Sequence, residues 1–308
     1  MTINSIDPIM PPFLQKGDQV AIIASAKFVL KSDLDHGIQL LKERGFKVKV
    51  NNSVFQKKHV FAGSIDERVA NINSAFQDKE TKAIFFARGG YGSIQIIDHI
   101  DFRLLAKNPK WLIGFSDLTV ILMHLYFNYN ICSIHGPMIY NFIKTKQTSV
   151  DATINLIKGK VEPVEIKKSK FNIKGVASGK IIGGNLSIIY SLMGSSSFLL
   201  LDEDYILFIE DVDEYLYHIE RIFYSLARAG VLQKLKGLIV GQMTNMLDNE
   251  ILFGKTVYEL IYDIVNQYNY PLCFGLQVGH EKQNHPILLG RKITLEVNDQ
   301  SSKINYEE

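Results

Sequence analysis

Apolar residues in the first half of the chain follow two alternating patterns. Short solid runs, "QVAIIASA", "KAIFFA" and "WLIGF", read as strands buried on both faces. Between them the spacing turns helical. "SDLDHGIQLLKERGF" keeps Leu34, Ile38 and Leu41 on one face, with Ser32 placed to cap it. "KVKV" reads as a further strand, and Ser64 and Glu67 in "SIDE" form a capping box ahead of "RVANINSAF". "ICSIH" reads as a fifth strand, and "IQIIDHI" after the glycines at 89–92 as helical. This repetition predicts a mostly parallel sheet covered on both faces, an α/β domain. Ligands of such sheets gather beyond the carboxyl ends of the strands. That rule selects four places: Ser25, "ARGGYGS" at 87–93, Ser116, and "SIHGPM" at 133–138.

The pattern weakens from about 145 to 175. "KTKQTSVDATINLIKGK" is compatible with a helix, while "VEPVEIKKSKFNIKG" is polar and irregular. The expected division is therefore a first domain over 1–150, a linker over 151–175, and a smaller α+β domain of mixed strands over 176–308. The last contains short strand-like runs ("KIIGG", "YILFIE", "GLIVG", "KITLEV") among helical ones ("NLSIIYSLMG", "EYLYHIERIFYSLARAG", "GKTVYELIYDIVNQY").

Composition narrows the class. The 308 residues are 46% hydrophobic and 21% charged, enough for a sizeable core. A formal charge of +2 gives no general attraction to nucleic acid or to an acidic membrane surface. The two cysteines, Cys132 and Cys273, make no metal spacing and read as buried thiols. The start, "MTINSIDPIMPPFLQKGD", lacks the pattern of a secretory leader, and no apolar run approaches a membrane span. A cytoplasmic protein is the expectation.

Several motifs fail on spacing. Gly89, Gly90 and Gly92 follow a strand, but Gln95 stands where a dinucleotide fingerprint needs its third glycine. The loop remains a sensible cradle for another anion, such as a carboxylate, with Arg88 alongside, or a plain tight turn. "FGKT" has Asn249 in place of the first P-loop glycine, so its Gly-Lys-Thr is an ordinary helix start. "HEKQNHP" sets His285 one place late for a zinc protease and follows it with Pro286. "EDVDE", Glu210–Glu214, lacks a calcium-loop spacing. Glu210 itself ends the apolar run "YILFI", and a carboxylate placed there needs a partner.

Ser116 lies in "WLIGFSDLT", between an apolar run and a helical one. The layout is that of a nucleophile elbow, with Leu118 in place of the second glycine. On the residues alone, N-capping is the favoured reading. A nucleophile also needs a base and a group to orient it. Of eight histidines, His124 sits in an apolar helix and His218 on the helix after the acidic run. His135 and His280 both sit near strand ends beside glycine and remain open as the base.

Taken in order, "GDQVAIIASA", "ARGGYGS", "GFSDLT", "HGPM", "GGNLS", "LFIEDVDE" and the late "VGH…P…LG" resemble the L,D-carboxypeptidases of serine peptidase family S66 over nearly the whole chain. The resemblance implies a flavodoxin-like or Rossmann-like N-terminal domain, a smaller C-terminal domain, and a Ser-Glu-His triad in the cleft between them. Carried over by motif, the nucleophile is Ser116, the carboxylate Glu210 and the base His280. The N–H of Asp117 and one from Gly89 or Gly90 would hold the oxyanion. Arg88 and Tyr91 complete the "RGGYG" stretch expected to receive the substrate's terminal carboxylate. The implied reaction releases terminal D-alanine from murein tetrapeptides in peptidoglycan recycling, with no metal and no organic cofactor. The implied partner is a small peptide, not nucleic acid or membrane, and a homodimer is the expected assembly. Two rivals remain. Some members hydrolyse peptide-nucleotide antibiotics related to microcin C, and an aromatic in the binding loop would favour that branch. A non-catalytic α/β ligand-binding protein would need neither Ser116 nor His280.

Overall fold

The computed structural model describes residues 7–198 and 203–307; residues 1–6, where the stretch read as leaderless begins, lie outside them. The chain forms two compact units. One comprises Asp7–Val161 with Asn284–Leu288, the other Glu162–Gln283 with the residues from Leu289 onward. Among the described residues, no helix is long and apolar enough to cross a membrane.

The first unit carries β1 (Gln19–Ile23), α1 (Lys31–Glu43), β2 (Lys47–Val50), α2 (Ile65–Gln77), β3 (Thr81–Phe86), α3 (Phe102–Lys107), β4 (Trp111–Gly114), α4 (Thr119–Tyr129), β5 (Ser133–His135) and α5 (Gln147–Ile157). Its sheet runs β2-β1-β3-β4-β5, all parallel, the flavodoxin-like order. The apolar runs form its centre: Ile84, Phe85, Trp111, Leu112 and Ile113 are fully buried. Helix α4 is apolar nearly all round, as a helix covered on every side must be. His124 within it packs its ring 4.7 Å from that of Phe102.

Local chemistry explains most boundaries. Ser64 and Glu67 form the expected capping box of α2. Helix α1 begins one residue before Ser32, at Lys31, and Asp33 reaches back to the N–H of Leu30 instead. The segment read as helical after "ARGGYGS" forms only two 3-10 turns, Ser93–Gln95 and Ile97–His99. The backbone N–H groups of Gly92 and Ser93 donate to the Asp117 carboxylate, so the chain there is shaped by that side chain.

The second unit holds β6 (Val164–Lys167), β7 (Gly175–Asn185), α6 (Leu186–Ser191), β8 (Tyr205–Val212), α7 (Leu216–Arg228), β9 (Gly237–Thr244), α8 (Val257–Val265) and β10 (Leu272–Phe274). After β11 (Ile287–Leu289), which lies at the β5 edge of the first sheet, come β12 (Lys292–Val297) and β13 (Ser301–Tyr306). The second sheet is ordered β10-β9-β8-β7-β12-β13-β6. Strands β7 to β10 are parallel, and β12, β13 and β6 join antiparallel. Asn185 caps α6, and Thr256 with Glu259 forms a capping box on α8, which accounts for the "GKT" there.

The division differs from the one the sequence suggested. Residues 151–157 complete α5 in the first unit, and Val164–Lys167 forms β6 in the second, so the stretch 151–175 is divided between the two units and contains regular structure as well as connecting segments. Residues 284–288 return to the first unit, which local composition gives no sign of.

Candidate active site

Ser116 follows β4 and begins a 3-10 turn, Ser116–Leu118, that feeds α4. The turn's capping position is Phe115 and that of α4 is Leu118, so Ser116 caps neither. Its φ is +63°, in the left-handed region. A non-glycine residue held there costs about 1–3 kcal/mol, a strain that persists only where the surroundings enforce it. A strained serine on a strand-to-helix turn is the geometry of a nucleophile elbow. Leu118, where the motif's second glycine would stand, is fully buried and packs over the α-carbon of Gly114. A methyl added at Gly114 would lie 3.0 Å from Leu118 Cγ, so the leucine fits because Gly114 has no side chain.

Asp117 explains what holds this turn against the glycine loop. Its carboxylate, 2% exposed, accepts from Gly92 N at 3.3 Å and Ser93 N at 3.0 Å. Arg68 of α2 is equally buried and donates to Ser25 O at 2.8 Å, Gly92 O at 3.0 Å and Gln95 Oε1 at 2.8 Å. Burial pushes the Asp117 carboxyl up, while the bonds from Ser93 and Gly92 and the Arg68 charge oppose it. Gly89 and Gly90 donate their N–H groups to nothing among the described residues. Tyr91 is 51% exposed, and Arg88 lies over the Tyr140 ring at 4.5 Å.

In the second unit Glu210 lies near the carboxyl end of β8, where its pairing with β9 slips register between Ile209 and Asp211. Such irregularities re-aim side chains. Glu210 is fully buried, and its Oε2 accepts from His280 Nδ1 at 2.8 Å. Burial disfavours the imidazolium, but the charge and hydrogen bond of Glu210, with Asp211 and Asp213 beyond, outweigh it and hold His280 above its ordinary value. Asp211 is pushed up to about 7, first by burial and then by Glu210. Bonds from Val212 N, Ser187 N and Asn185 Nδ2 counter that shift, which gives the "GGNLS" segment a role.

His280 sits in a loop between β10 and β11 that has no regular structure, so its backbone needs other partners. Gln242 of β9 supplies them. Its N–H donates to Val278 O at 2.9 Å, its Oε1 accepts from Glu281 N at 3.0 Å, and its Nε2 donates to Gln283 O at 2.7 Å. Gly279, with φ +145°, lets the loop lie close. A Cβ there would stand 2.9 Å from Gln242 Cβ and 3.2 Å from Glu210 Oε2.

The second unit thus brings Glu210 and His280 together, and the first groups Ser116, Asp117 and the 88–92 loop. His135, the rival base, is fully buried in β5 with its ring 5.8 Å from that of Phe115. Sequence reasoning missed Arg68 and Gln242. Both had a signal: an arginine on the face of α2 that carries Ile72 and Phe76, and an amide inside the apolar strand "GLIVGQMT".

The pattern of the LD-carboxypeptidase N-terminal domain matches residues 20–136, and that of the C-terminal domain matches 178–295. A probable murein peptide carboxypeptidase of Bacillus subtilis is 29% identical over 305 residues, covering 96% of this chain and 93% of its own. The microcin C7 self-immunity protein of Escherichia coli is 25% identical, covering 97% and 96%. The crystal structure of muramoyltetrapeptide carboxypeptidase from Oxalobacter formigenes superposes with a TM-score of 0.87 at 26% identity, covering 94% of this chain and 99% of that one. With both domain patterns matched in order, this chain belongs to the LD-carboxypeptidase family of serine peptidases, S66.

Proposed function

We propose that this enzyme hydrolyses the L,D-peptide bond that releases terminal D-alanine from murein tetrapeptides, using Ser116, His280 and Glu210. The observation that carries the reading is the buried Glu210–His280 bond at 2.8 Å, a carboxylate orienting an imidazole. Because Nδ1 binds Glu210, the mechanism assigns Nε2 to the proton of Ser116. His280 takes that proton as Ser116 Oγ attacks the scissile carbonyl, and returns it to the leaving D-alanine amine. Glu210 fixes the tautomer and stabilises the imidazolium. The N–H groups of Asp117 and of Gly89 or Gly90 hold the oxyanion, each contributing a few kcal/mol, roughly 3 for one donor. Water then repeats the sequence on the acyl-enzyme. Arg88 and the glycine loop receive the terminal carboxylate. The named functions of the Bacillus subtilis relative and the Oxalobacter formigenes structure support this substrate class.

A second reading has one observation behind it. Tyr91 is an exposed aromatic in the loop beside the proposed nucleophile, a surface on which a nucleobase can stack. Trp111, the only tryptophan, is fully buried and donates its indole N–H to Pro12 O. It offers no such surface.

The test is direct. The protein is incubated separately with a murein tetrapeptide and with an aminoacyl sulfamoyl nucleotide, and released D-alanine or free amino acid is measured. D-alanine release that disappears in Ser116→Ala supports the proposal. Release that survives the substitution discards Ser116 as nucleophile, and turnover of the nucleotide alone selects the second reading.

A further inference from the structure

Three cations follow the carboxyl ends of the first unit's strands around the glycine loop. Lys27 comes after β1, Arg88 after β3, and Lys144 beyond β5. None of them forms an ion pair with a carboxylate among the described residues, whereas Arg44, Lys49 and Arg103 of the same unit do. Lack of a partner alone would not distinguish Lys27 from other surface lysines. Its placement does.

The Lys27 backbone is fixed on both sides. Its N–H donates to Gly89 O at 3.4 Å, and Lys27 bridges antiparallel to Phe61. Its stem then lies across the α-carbon of Gly90. A Cβ built at Gly90 would stand 3.0, 2.6 and 2.8 Å from Lys27 Cγ, Cδ and Cε. Gly90 also has φ +107°, so glycine is required there for the turn and leaves the surface on which the lysine rests. The packed methylenes restrict the side chain, which lowers the entropy lost when its ammonium binds an anion. The same loop is tied through Gly92 and Ser93 to Asp117, the neighbour of Ser116. A cation on a restrained stem, beside a nucleophile-bearing turn and without an internal counterion, has the features of a ligand-binding group.

We infer that Lys27 is a substrate-binding residue, and that with Arg88 it forms a two-cation subsite for the terminal carboxylate of the peptide substrate. The inference rests on the carboxypeptidase reading above. Tyr140 holds the second cation in place, since the Arg88 guanidinium lies 4.5 Å from its ring and Lys144 Nζ flanks the same ring at 5.8 Å. The subsite would weaken binding of peptides whose C-terminus is neutral, because two cations would then lose water without gaining a charge.

A binding cycle tests it. In the Ser116→Ala background, titration calorimetry compares a murein tetrapeptide with its terminal carboxamide, each against protein with Lys27 and with Lys27→Met. Methionine keeps an unbranched stem on Gly90 and removes the charge. The expected result is about 10–100-fold weaker binding of the carboxylate peptide to Lys27→Met, the loss of one charge-assisted hydrogen bond, with the carboxamide little affected. Lys27→Arg should restore most of the difference. Equal binding of the carboxylate peptide to both proteins overturns the assignment, as does an equal loss for both peptides, which would mean packing and not charge. If the methionine variant melts early, Lys27→Gln is read by the same criteria. Should neither peptide bind the parent protein at all, the murein reading itself fails and the subsite falls with it.

Discussion

The turn around Ser116 and the loop around His280 present their side chains by opposite means. Ser116 is held by its own backbone, at a left-handed φ of +63° between a buried strand and a buried helix. The groups that brace it, Asp117 and Arg68, are buried and bind main chain. His280 is on a loop with no regular structure, held by side-chain bonds: Glu210 on the ring and Gln242 on the flanking backbone. The lesson concerns separability. A side chain presented by strained backbone can be removed without moving the frame. One presented by hydrogen bonds to remote residues can be displaced while every catalytic group is still present.

The largest expected effect breaks the comparison on the serine side. Ser116→Ala should lower kcat by roughly 10⁴-fold or more, as expected when one member of a triad is lost. The melting temperature should hold, because the bonds of Asp117 and Arg68 to the main chain around the turn are left intact. A large fall in melting temperature alongside lost activity would show that Ser116 is structural.

Next in size is Glu210→Gln, measured as kcat on the tetrapeptide. The amide lacks the negative charge that stabilises an imidazolium, and its NH2 can donate to Nδ1 and select the wrong tautomer, so a loss of about 10²–10⁴-fold is expected. A loss under tenfold would remove Glu210 from the proposed triad.

Gln242→Met sharpens the comparison. It leaves the Ser116 turn and both members of the Glu210–His280 pair in place but removes the Gln242 side-chain bonds to Glu281 N and Gln283 O. A kcat lower by about 10–100-fold with little change in KM is expected, because misplacing a base by an ångström has that effect. Losing those two hydrogen bonds costs about 0.5–1.5 kcal/mol each, read as a lower denaturant midpoint. Unchanged kcat with reduced stability would make Gln242 a structural residue only.

The smallest effect is in pH. His280 is raised above its ordinary value near 6.5, and a general base must be neutral to act. The rate should therefore climb through a pKa above 6.5. Stability runs the other way. For a group whose folded pKa is raised, the stabilisation is complete below the unfolded value and is lost as pH rises through the folded one. The Glu210–His280 contribution should thus be full below about pH 6.5 and fade above it. Wild type and His280→Ala, melted from pH 5 to 9, should converge on the alkaline side. A gap that widens with pH would mean that the pair favours the neutral ring.

Much of the fold was legible because its signals are local. Solid apolar runs became β1, β3 and β4, and "SIDE" became the capping box of α2. Where side chains from other elements shape the chain, local reading failed. "IQIIDHI" broke into two 3-10 turns beside the Asp117 carboxylate, and 151–175 held the end of α5 and the whole of β6. Arg68 and Gln242 looked like ordinary polar residues because their partners lie far along the chain: Ser25 and Gly92 for Arg68, Glu281 and Gln283 for Gln242.

By itself the sequence determined the class of the first sheet, the ends of several helices, and the three residue types on which a serine peptidase reading depends. Each follows from periodicity, capping or a motif, all carried by neighbours within a few turns of chain. Only the tertiary structure decided that Ser116 adopts a left-handed turn outside both capping positions, that the His280 ring is bonded to a fully buried Glu210, and that an amide on β9 steadies the histidine's loop. Those outcomes depend on burial and on bonds between residues dozens of positions apart, and the free energy that selects them exists only once the chain has closed on itself.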